Sequence, residues 1–508
     1  MTQGLGWVTG LAAVGSAAPI PGAPFTDLAV LQRDRVVPVW GTANPGERIR
    51  VSFRQVTADT TTGTDGTWRV NLPPLVPGPA SDLVIAGETA VTLHDVVVGD
   101  VWLISGQSNA EWPLSKSDAT DSAALSTLAP WLRTLRVPHR VANEDESRIG
   151  AHWSLGTSPG VQDISAVGFC FVQHLYPQGG IPIGLIQVAY GGTVIEAWLS
   201  PRALQQAPTG PAALQRWNEV LTRWPAAEAS WLAAKETWTR SKADAERTGS
   251  RFVLSPPRAP IGPGHASQVS GLHHGMIAPL LPSALKGVIW YQGESNVGRP
   301  EEYAGLLAAL IADWRSGFEQ EDLPLLLVQL PNYSDPRDAW WKLRDAQAQV
   351  ARETPGCHLA VTIDLGASRD KHPRNKDEVG RRLALLARRH VFHESVEAEA
   401  PSVVSAVREG PRVRLQFLPA NPLLRLRPAA PASISFELAG SDGIFHPATA
   451  RLTDRGVTVE SPEVSEPSTV RYLQHNDPQP ILFAATGLPV APFQQRTTAP
   501  SGHAKPES

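Results

Sequence analysis

The chain has 508 residues, and at about 150 residues per domain this is room for roughly three domains rather than one small binding module. Lys plus Arg number 45 against 49 Asp plus Glu, a formal charge of -4, with 19% charged and 42% hydrophobic residues. That balance excludes a basic nucleic-acid-coating protein and a disordered chain, and it points to a soluble globular protein with ample core. The 42 Gly and 46 Pro imply many turns. Cys170 and Cys357 are the two cysteines, too few for a multi-bridge scaffold or a thiolate metal cluster.

Residues 1–24 read as a leader. MTQGLGWVTGLAAVGSAAPIPG has an apolar small-residue stretch and an Ala-Ala-Pro close but no basic n-region; export, to periplasm or medium, is the expectation. No later run reaches the roughly 20 apolar residues that span a bilayer, so no membrane partner is expected. Over 25–98, segments such as DRVVPVWG, GERIRVSF and SDLVIAG alternate apolar and polar residues between turn signals, which predicts a β-sandwich or jelly-roll-like module.

The pattern changes at Gly99. VWLISGQSN, IGLIQVAYGG, KGVIWYQGESN, LPLLLVQLPN and CHLAVTIDLG are short continuous apolar runs with polar tips, and helical stretches such as YAGLLAALIADWRSGF and NKDEVGRRLALLARRH alternate with them. This predicts an α/β domain over 99–395, with a parallel sheet covered on both faces and its chemistry at the strand ends. A helical insertion is expected over 208–248. There Trp217, Trp224, Trp231 and Trp238 recur every seven residues, a spacing that points to packing against the main domain, and Pro225 is expected to end or kink the helix. Residues 396–498 again carry strand period, predicting a C-terminal β module, and 499–508 read as a disordered tail.

Ser108, in Gly106-Gln107-Ser108-Asn109, follows the strand VWLI directly, where a tight turn presents a hydroxyl as a candidate nucleophile. A serine nucleophile needs a base and donors for an oxyanion. His372, in a polar loop before Pro373, is the candidate base. Gly191-Gly192-Thr193 offers an unobstructed backbone N–H, and Gln292 or Asn296 offers a side-chain amide. Asp364 and Asp370 precede His372, and Glu294 lies in the QGE turn. His274 is a candidate substrate contact. No close set of three His, Asp or Glu at ligand spacing accompanies these residues, so neither metal nor cofactor is expected.

In this order, VLQRDRVVPVWG, GDVWLISGQSNAEWPL, IGLIQVAYGGTVIEAW, GMIAPLLPSALKGVIWYQGESN, DLPLLLVQLPNY and the DLG…DKHPRNKDEVGRRLAL stretch resemble the sialate O-acetylesterase family of SGNH-type carbohydrate esterases, over about residues 28–494. The resemblance implies an SGNH-hydrolase-like parallel sheet flanked by helices, with Ser108 as nucleophile and His372 as general base. It implies an oxyanion hole from the N–H groups of Ser108 and Gly192 and an amide of the WYQGESN turn. Arg369 stands where many SGNH enzymes carry the acid, so Asp370 is the first choice to orient His372, Glu294 the second, and Asp364 a structural residue. Ala110 replaces a methionine common in relatives. Lys371, beside the base, is expected to face solvent.

The implied reaction is serine-dependent removal of acetyl groups from a carbohydrate, with acetylated xylan, xyloglucan or their oligosaccharides as the expected partner. O-acetylated sialic acid is the alternative substrate, whose carboxylate would need Arg202, Arg299, Arg344 or Arg369. A neutral glycan would use aromatic faces, with Trp112, Trp198, Trp340 and Trp341 near the recognised segments and the last two favoured. A non-catalytic carbohydrate-binding scaffold is the reading from another class, disfavoured by the joint presence of Ser108, Gly192, Asn296 and His372.

Overall fold

The computed structural model describes residues 18–118, 122–418, 424–427, 435–454 and 456–499. Residues 1–17 of the expected leader and 500–508 of the expected tail therefore lie outside the described residues. The central strands are β1 (Ala90–Gly106), β2 (Leu132–Arg136), β3 (Trp153–Leu155), β4 (Ile183–Ala189), β5 (Gly287–Tyr291), β6 (Leu325–Val328) and β7 (Cys357–Ala360). They stand in the order β3-β2-β4-β1-β5-β6-β7. Every neighbouring pair is parallel except the antiparallel edge β3–β2.

The apolar runs lack alternation because both faces are covered. The helices that bear on the site and the insertion are α1 (Ser108–Glu111), α2 (Ala166–Leu175), α3 (Gly210–Thr248), α4 (Pro300–Gly317), α5 (Trp340–Glu353) and α6 (Asp377–His390). Trp102 of β1 meets Phe171 of α2 edge to face, with centroids 4.7 Å apart. Trp290 of β5, in register with Ser105 and so on the opposite face, meets Trp314 of α4 at 5.5 Å. Helix α6 lies on α2 where Gly380 leaves no room for a side chain: a Cβ there would sit 2.5 Å from the Cβ of Cys170.

The N-terminal β segment does not end at a linker. The first half of β1 pairs antiparallel with Ser81–Ala86, and its second half is the middle of the parallel sheet. A boundary between residues 98 and 99 thus falls inside one continuous strand, and Phe53, Leu83 and Ile85 share one hydrophobic core with Trp102 and Trp290. At the other end a seven-stranded sheet running from Ser402–Glu409 to Phe493–Arg496 has its own core, including Val413, Leu415, Phe436 and Tyr472. All its pairings are antiparallel.

The insertion departs from expectation twice. Helix α3 runs unbroken for 39 residues with Pro225 inside it; the proline removes a single backbone donor, and the turns on either side keep theirs. Three of its four tryptophans, Trp224, Trp231 and Trp238, meet the segment that returns after the helix. The indole N–H of Trp231 donates to Pro257 O and that of Trp238 to Leu254 O, Trp238 meets Phe252, and Gly262 lies against Trp224. The Pro-rich return segment covers this face. No described helix is long and apolar enough to cross a membrane.

Because a side chain at Gly380 would collide with the α2 backbone, Gly380→Val is expected to destabilise the protein by about 1–3 kcal/mol. A urea melt should show the lower midpoint; an unchanged midpoint would mean that α2 and α6 do not depend on this contact.

Candidate active site

The site is assembled at the carboxyl ends of β1, β4 and β5 and on the loop that follows β7. At the end of β1, Gly106 has φ +134°, and a Cβ there would lie 2.1 Å from Tyr291 O of β5, so only glycine fits this close approach. The chain then turns into α1, whose first residue is Ser108. Gln107 N–H donates to Tyr291 O, and Tyr190 N–H donates to Gly106 O, which clips the turn to the strands on both sides.

Ser108 Oγ lies 2.8 Å from His372 Nε2, a contact between residues 264 positions apart. Trp112, half-buried, stacks on the His372 ring with centroids 5.2 Å apart and planes at 19°. On the far side of the imidazole, Asp370 Oδ1 accepts the His372 main-chain N–H at 2.8 Å and lies 3.8 Å from Nδ1. Burial, then the charge of Lys371, push His372 below the ordinary histidine range, against the pull of Asp370. The imidazole is therefore neutral near pH 7 and able to accept a proton. Lys371 is exposed, as expected from its position, yet it still acts on the ring.

The Gly191-Gly192 turn abuts the serine: a Cβ on Gly191 would lie 3.4 Å from Ser108 Cβ. Gly191 N–H donates to Glu111 Oε2. Gly192, at φ +78°, is exposed and open on its Cβ side. Among the described residues no hydrogen-bond acceptor meets the N–H of Ser108 or of Gly192.

The side-chain amides expected to join them are engaged elsewhere. Gln292 is fully buried; its Nε2 donates to Gln107 Oε1, Thr193 O and Asn296 Oδ1, and its Oε1 accepts from Tyr303. Asn296 Nδ2 donates to Glu196 Oε2, while its Oδ1 also accepts Ile195 N–H. These amides bind the β4 and β5 turns together, because a buried amide at a strand end is stable only when its donors are satisfied by the protein.

Glu294 does not reach His372. Its Oε1 accepts from Asn109 Nδ2 at 2.5 Å, its Oε2 is buried without a hydrogen-bond partner, and burial raises its carboxyl above the usual range. Of the two acids weighed as orienting groups, Asp370 is the one beside the imidazole. Asp364 is gripped by Arg382 at 2.6 and 2.8 Å.

Several expected substrate contacts lie elsewhere. Trp340 is buried, with its indole N–H on Pro331 O; as the first residue of α5 it faces the core. Trp198 is likewise buried. Trp341 is half-buried, with Lys342 over its ring and its N–H on Asp338. His274, in the π-helical turn His273–Ile277, donates through Nδ1 to Asp145 Oδ1, 2.6 Å away. Arg344 is fully buried and donates to the carbonyls of Pro331, His475 and Asn476. Arg299 pairs with Glu196 and Glu302. Arg202 is exposed on the helix Pro201–Gln206, and Arg369 is exposed three residues before His372. The wall beside Gly191 has no counterpart among the expected site residues: His139 stacks on Tyr190 at 3.8 Å and bonds Glu111 Oε1 at 2.5 Å. No spacing links these three residues.

Away from this site, His358, His390 and Glu399 bring ligand atoms within 4.8 Å of one another. The two imidazoles stack at 3.7 Å with planes 11° apart, so an ion in line with the lone pair of one ring lies out of the plane of the other. A cavity of about 530 Å³ between β7, α5 and the C-terminal sheet includes His358 and Glu399 in its lining but none of the residues around Ser108.

Residues 273–388 match the family profile described as carbohydrate esterase, sialic acid-specific acetylesterase. The sialate O-acetylesterase of Mus musculus is 30% identical over 399 residues, 70% of each chain. That of Homo sapiens is 31% identical over 398 residues, 70% of this chain and 68% of the human protein. The crystal structure of a carbohydrate acetylesterase from Xanthomonas citri, 32% identical, superposes with a TM-score of 0.76 over 94% of this chain and 99% of its own.

The charges around His372 act in opposite directions, and this can be read in the pH profile. Asp370→Asn removes a group that raises the histidine and should shift the acid limb of kcat/KM to lower pH, with a rate loss of about 10²-fold, short of the roughly 10⁴-fold seen where a buried acid bonds the base directly. Lys371→Met should shift the same limb to higher pH. Shifts in one direction for both variants would contradict this arrangement.

Proposed function

The chain belongs to the sialate O-acetylesterase family, and from that premise we propose that it removes acetyl groups from neutral plant-type glycans, acetylated xyloglucan or xylan and their oligosaccharides, through an acetyl-serine intermediate. The observation that carries the reading is the 2.8 Å contact of Ser108 Oγ with His372 Nε2 at the end of a parallel sheet. We read that sheet as SGNH-hydrolase-like, on its strand order and on the position of serine and histidine after β1 and β7.

In the first step Ser108 Oγ attacks the acetyl carbonyl carbon and its proton passes to His372 Nε2. This requires the tautomer with the proton on Nδ1, the atom that faces Asp370, whose carboxylate favours the imidazolium that forms. Negative charge gathers on the carbonyl oxygen. The N–H groups of Ser108 and Gly192 are the donors for it, since they have no other acceptor among the described residues. The tetrahedral adduct collapses, the C–O bond to the sugar breaks, and His372 returns its proton to the departing sugar oxygen. Water then gives a proton to His372 and attacks the acetyl-serine carbonyl; the bond from Ser108 Oγ to the acetyl carbon breaks, His372 returns the proton to Oγ, and acetate leaves.

Support for a neutral glycan comes from Trp112, the half-buried aromatic beside the base: one face of its ring stacks on His372, and the other suits the C–H side of a sugar ring. Two of the four arginines considered for a sialic acid carboxylate, Arg299 and Arg344, are already committed. Arg369, exposed near His372, favours the second reading, hydrolysis of O-acetylated sialic acid, which the names of the mammalian relatives also suggest.

Acetate release from acetyl-xyloglucan, acetyl-xylan and O-acetylated sialic acid tests both. The wild type is expected to act on the plant glycans, and Ser108→Ala to lower kcat by about 10⁴-fold or more with the fold intact. Release from sialic acid alone would replace the first reading by the second; no release from any substrate, or undiminished turnover without Ser108, would overturn the esterase assignment.

A further inference from the structure

Lys376, the residue before α6, is completely buried. Its Nζ donates to Asn109 Oδ1 at 2.5 Å and lies 5.4 Å from the centre of the Tyr291 ring. Asn109 is the neighbour of Ser108. With its oxygen held by Lys376, its Nδ2 faces the other way and donates to Glu294 Oε1 and to Lys371 O, at 2.5 and 2.9 Å. Lys371 is in turn the neighbour of His372. Besides the Lys376 contact itself, two links therefore join the serine turn to the histidine loop: Ser108 Oγ to His372 Nε2, and the Asn109 amide to the Lys371 carbonyl. An amide can be flipped end for end at little steric cost. A flipped Asn109 would set its oxygen against the Glu294 carboxylate and the Lys371 carbonyl, and its N–H groups against an ammonium.

We propose that Lys376 is a positioning residue for the esterase reaction: it locks the orientation of the Asn109 amide, which ties the loop of His372 to the turn of Ser108, with Glu294 as the buried counter-charge of Lys376. The inference rests on the esterase reading given above and deepens it. It gives Glu294 a different task from orienting His372, in keeping with the absence of any contact between them among the described residues. A buried ammonium next to a buried carboxylate is costly to maintain without a defined partner geometry; here one asparagine bridges them. The groups that face Lys376 are Glu294, Asp370, the Cys170 thiol of α2 and Tyr291, and its charge is felt by His372. Burial pushes Lys376 down to about 7, against the pull of Glu294 and Asp370, so its positive charge is lost as pH rises above neutrality.

The test uses the full chain, with hydrolysis of 4-nitrophenyl acetate, acetate release from a glycan the wild type accepts, and labelling of Ser108 by a fluorophosphonate. Lys376→Met is expected to lower kcat by about 10- to 100-fold through misalignment of the reacting pair, with KM changed by less than about threefold. Asn109→Ala should fall in the same range, and the double variant should be no slower than the worse single one, since both remove the same link. Lys376→Gln, which keeps a donor for Asn109 Oδ1 but no titrating charge, should recover most of the rate and flatten the alkaline limb of kcat. Single losses that multiply in the double variant would overturn the proposal, as would a Lys376→Met kcat within about threefold of wild type. If Lys376→Met does not fold, Lys376→Gln decides: a rate as low as that of Asn109→Ala refutes the proposal, and a rate near wild type upholds it. A wild type that neither hydrolyses ester nor takes label refutes the esterase reading itself, a result distinct from all of these.

Discussion

The contact of Gly106 with the Tyr291 carbonyl is the constraint on which the site depends. Strand β1 must run between β4 and β5 to its last residue, and the chain must then leave the sheet at once, with no space for a side chain at the point of departure. Ser108 is thereby presented two residues beyond a rigid strand end rather than on a loop. The same strand begins in the N-terminal β segment, so the position of the serine is continuous with a hydrophobic core that extends from Phe53 to Trp314.

Around this turn the polar residues divide into two groups by burial. Gln107, Asn109, Gln292, Glu294 and Asn296 are buried and bonded mainly to one another and to the turn backbones. Leaving any of their donors unpaired would cost on the order of 1–3 kcal/mol, so they form a framework rather than a set of free reagents. Ser108, His372, Gly192 and Trp112 lie at the solvent boundary, where a substrate can reach them. Asp370, exposed and 3.8 Å from the histidine, acts through a screened charge, which is why the imidazole is governed first by its own burial.

The C-terminal sheet contributes to this arrangement from outside. Its segment at His475 to Asp477 accepts hydrogen bonds from Arg344 and from Asn332 and Ser334, and Gly366 N–H donates to Asn332 Oδ1 at the start of the histidine loop. The module thus braces the loops after β6 and β7. A buried arginine bound to main-chain carbonyls is a clamp on loop geometry, and at position 344 its full burial keeps it away from a substrate carboxylate.

Period and composition alone determined the mixed architecture: continuous apolar runs mean strands covered on both faces, alternation means antiparallel modules, and a Gly-Gln-Ser-Asn tip or a His-Pro loop at a strand end marks where chemistry can sit. These signals are local, carried by residues within one turn or strand. The partners of each polar side chain were decided only by tertiary structure. Asn109 meets Glu294 across 185 positions and Lys376 across 267, and Gln292 and Asn296, which looked like free donors in their turn, are consumed by Gln107, Thr193 and Glu196. Strand order brings these groups together, and nothing in the spacing along the chain encodes it. The Trp repeat of α3 shows the same limit: the seven-residue spacing specifies a face, while the Pro-rich segment that returns beside it determines what covers that face.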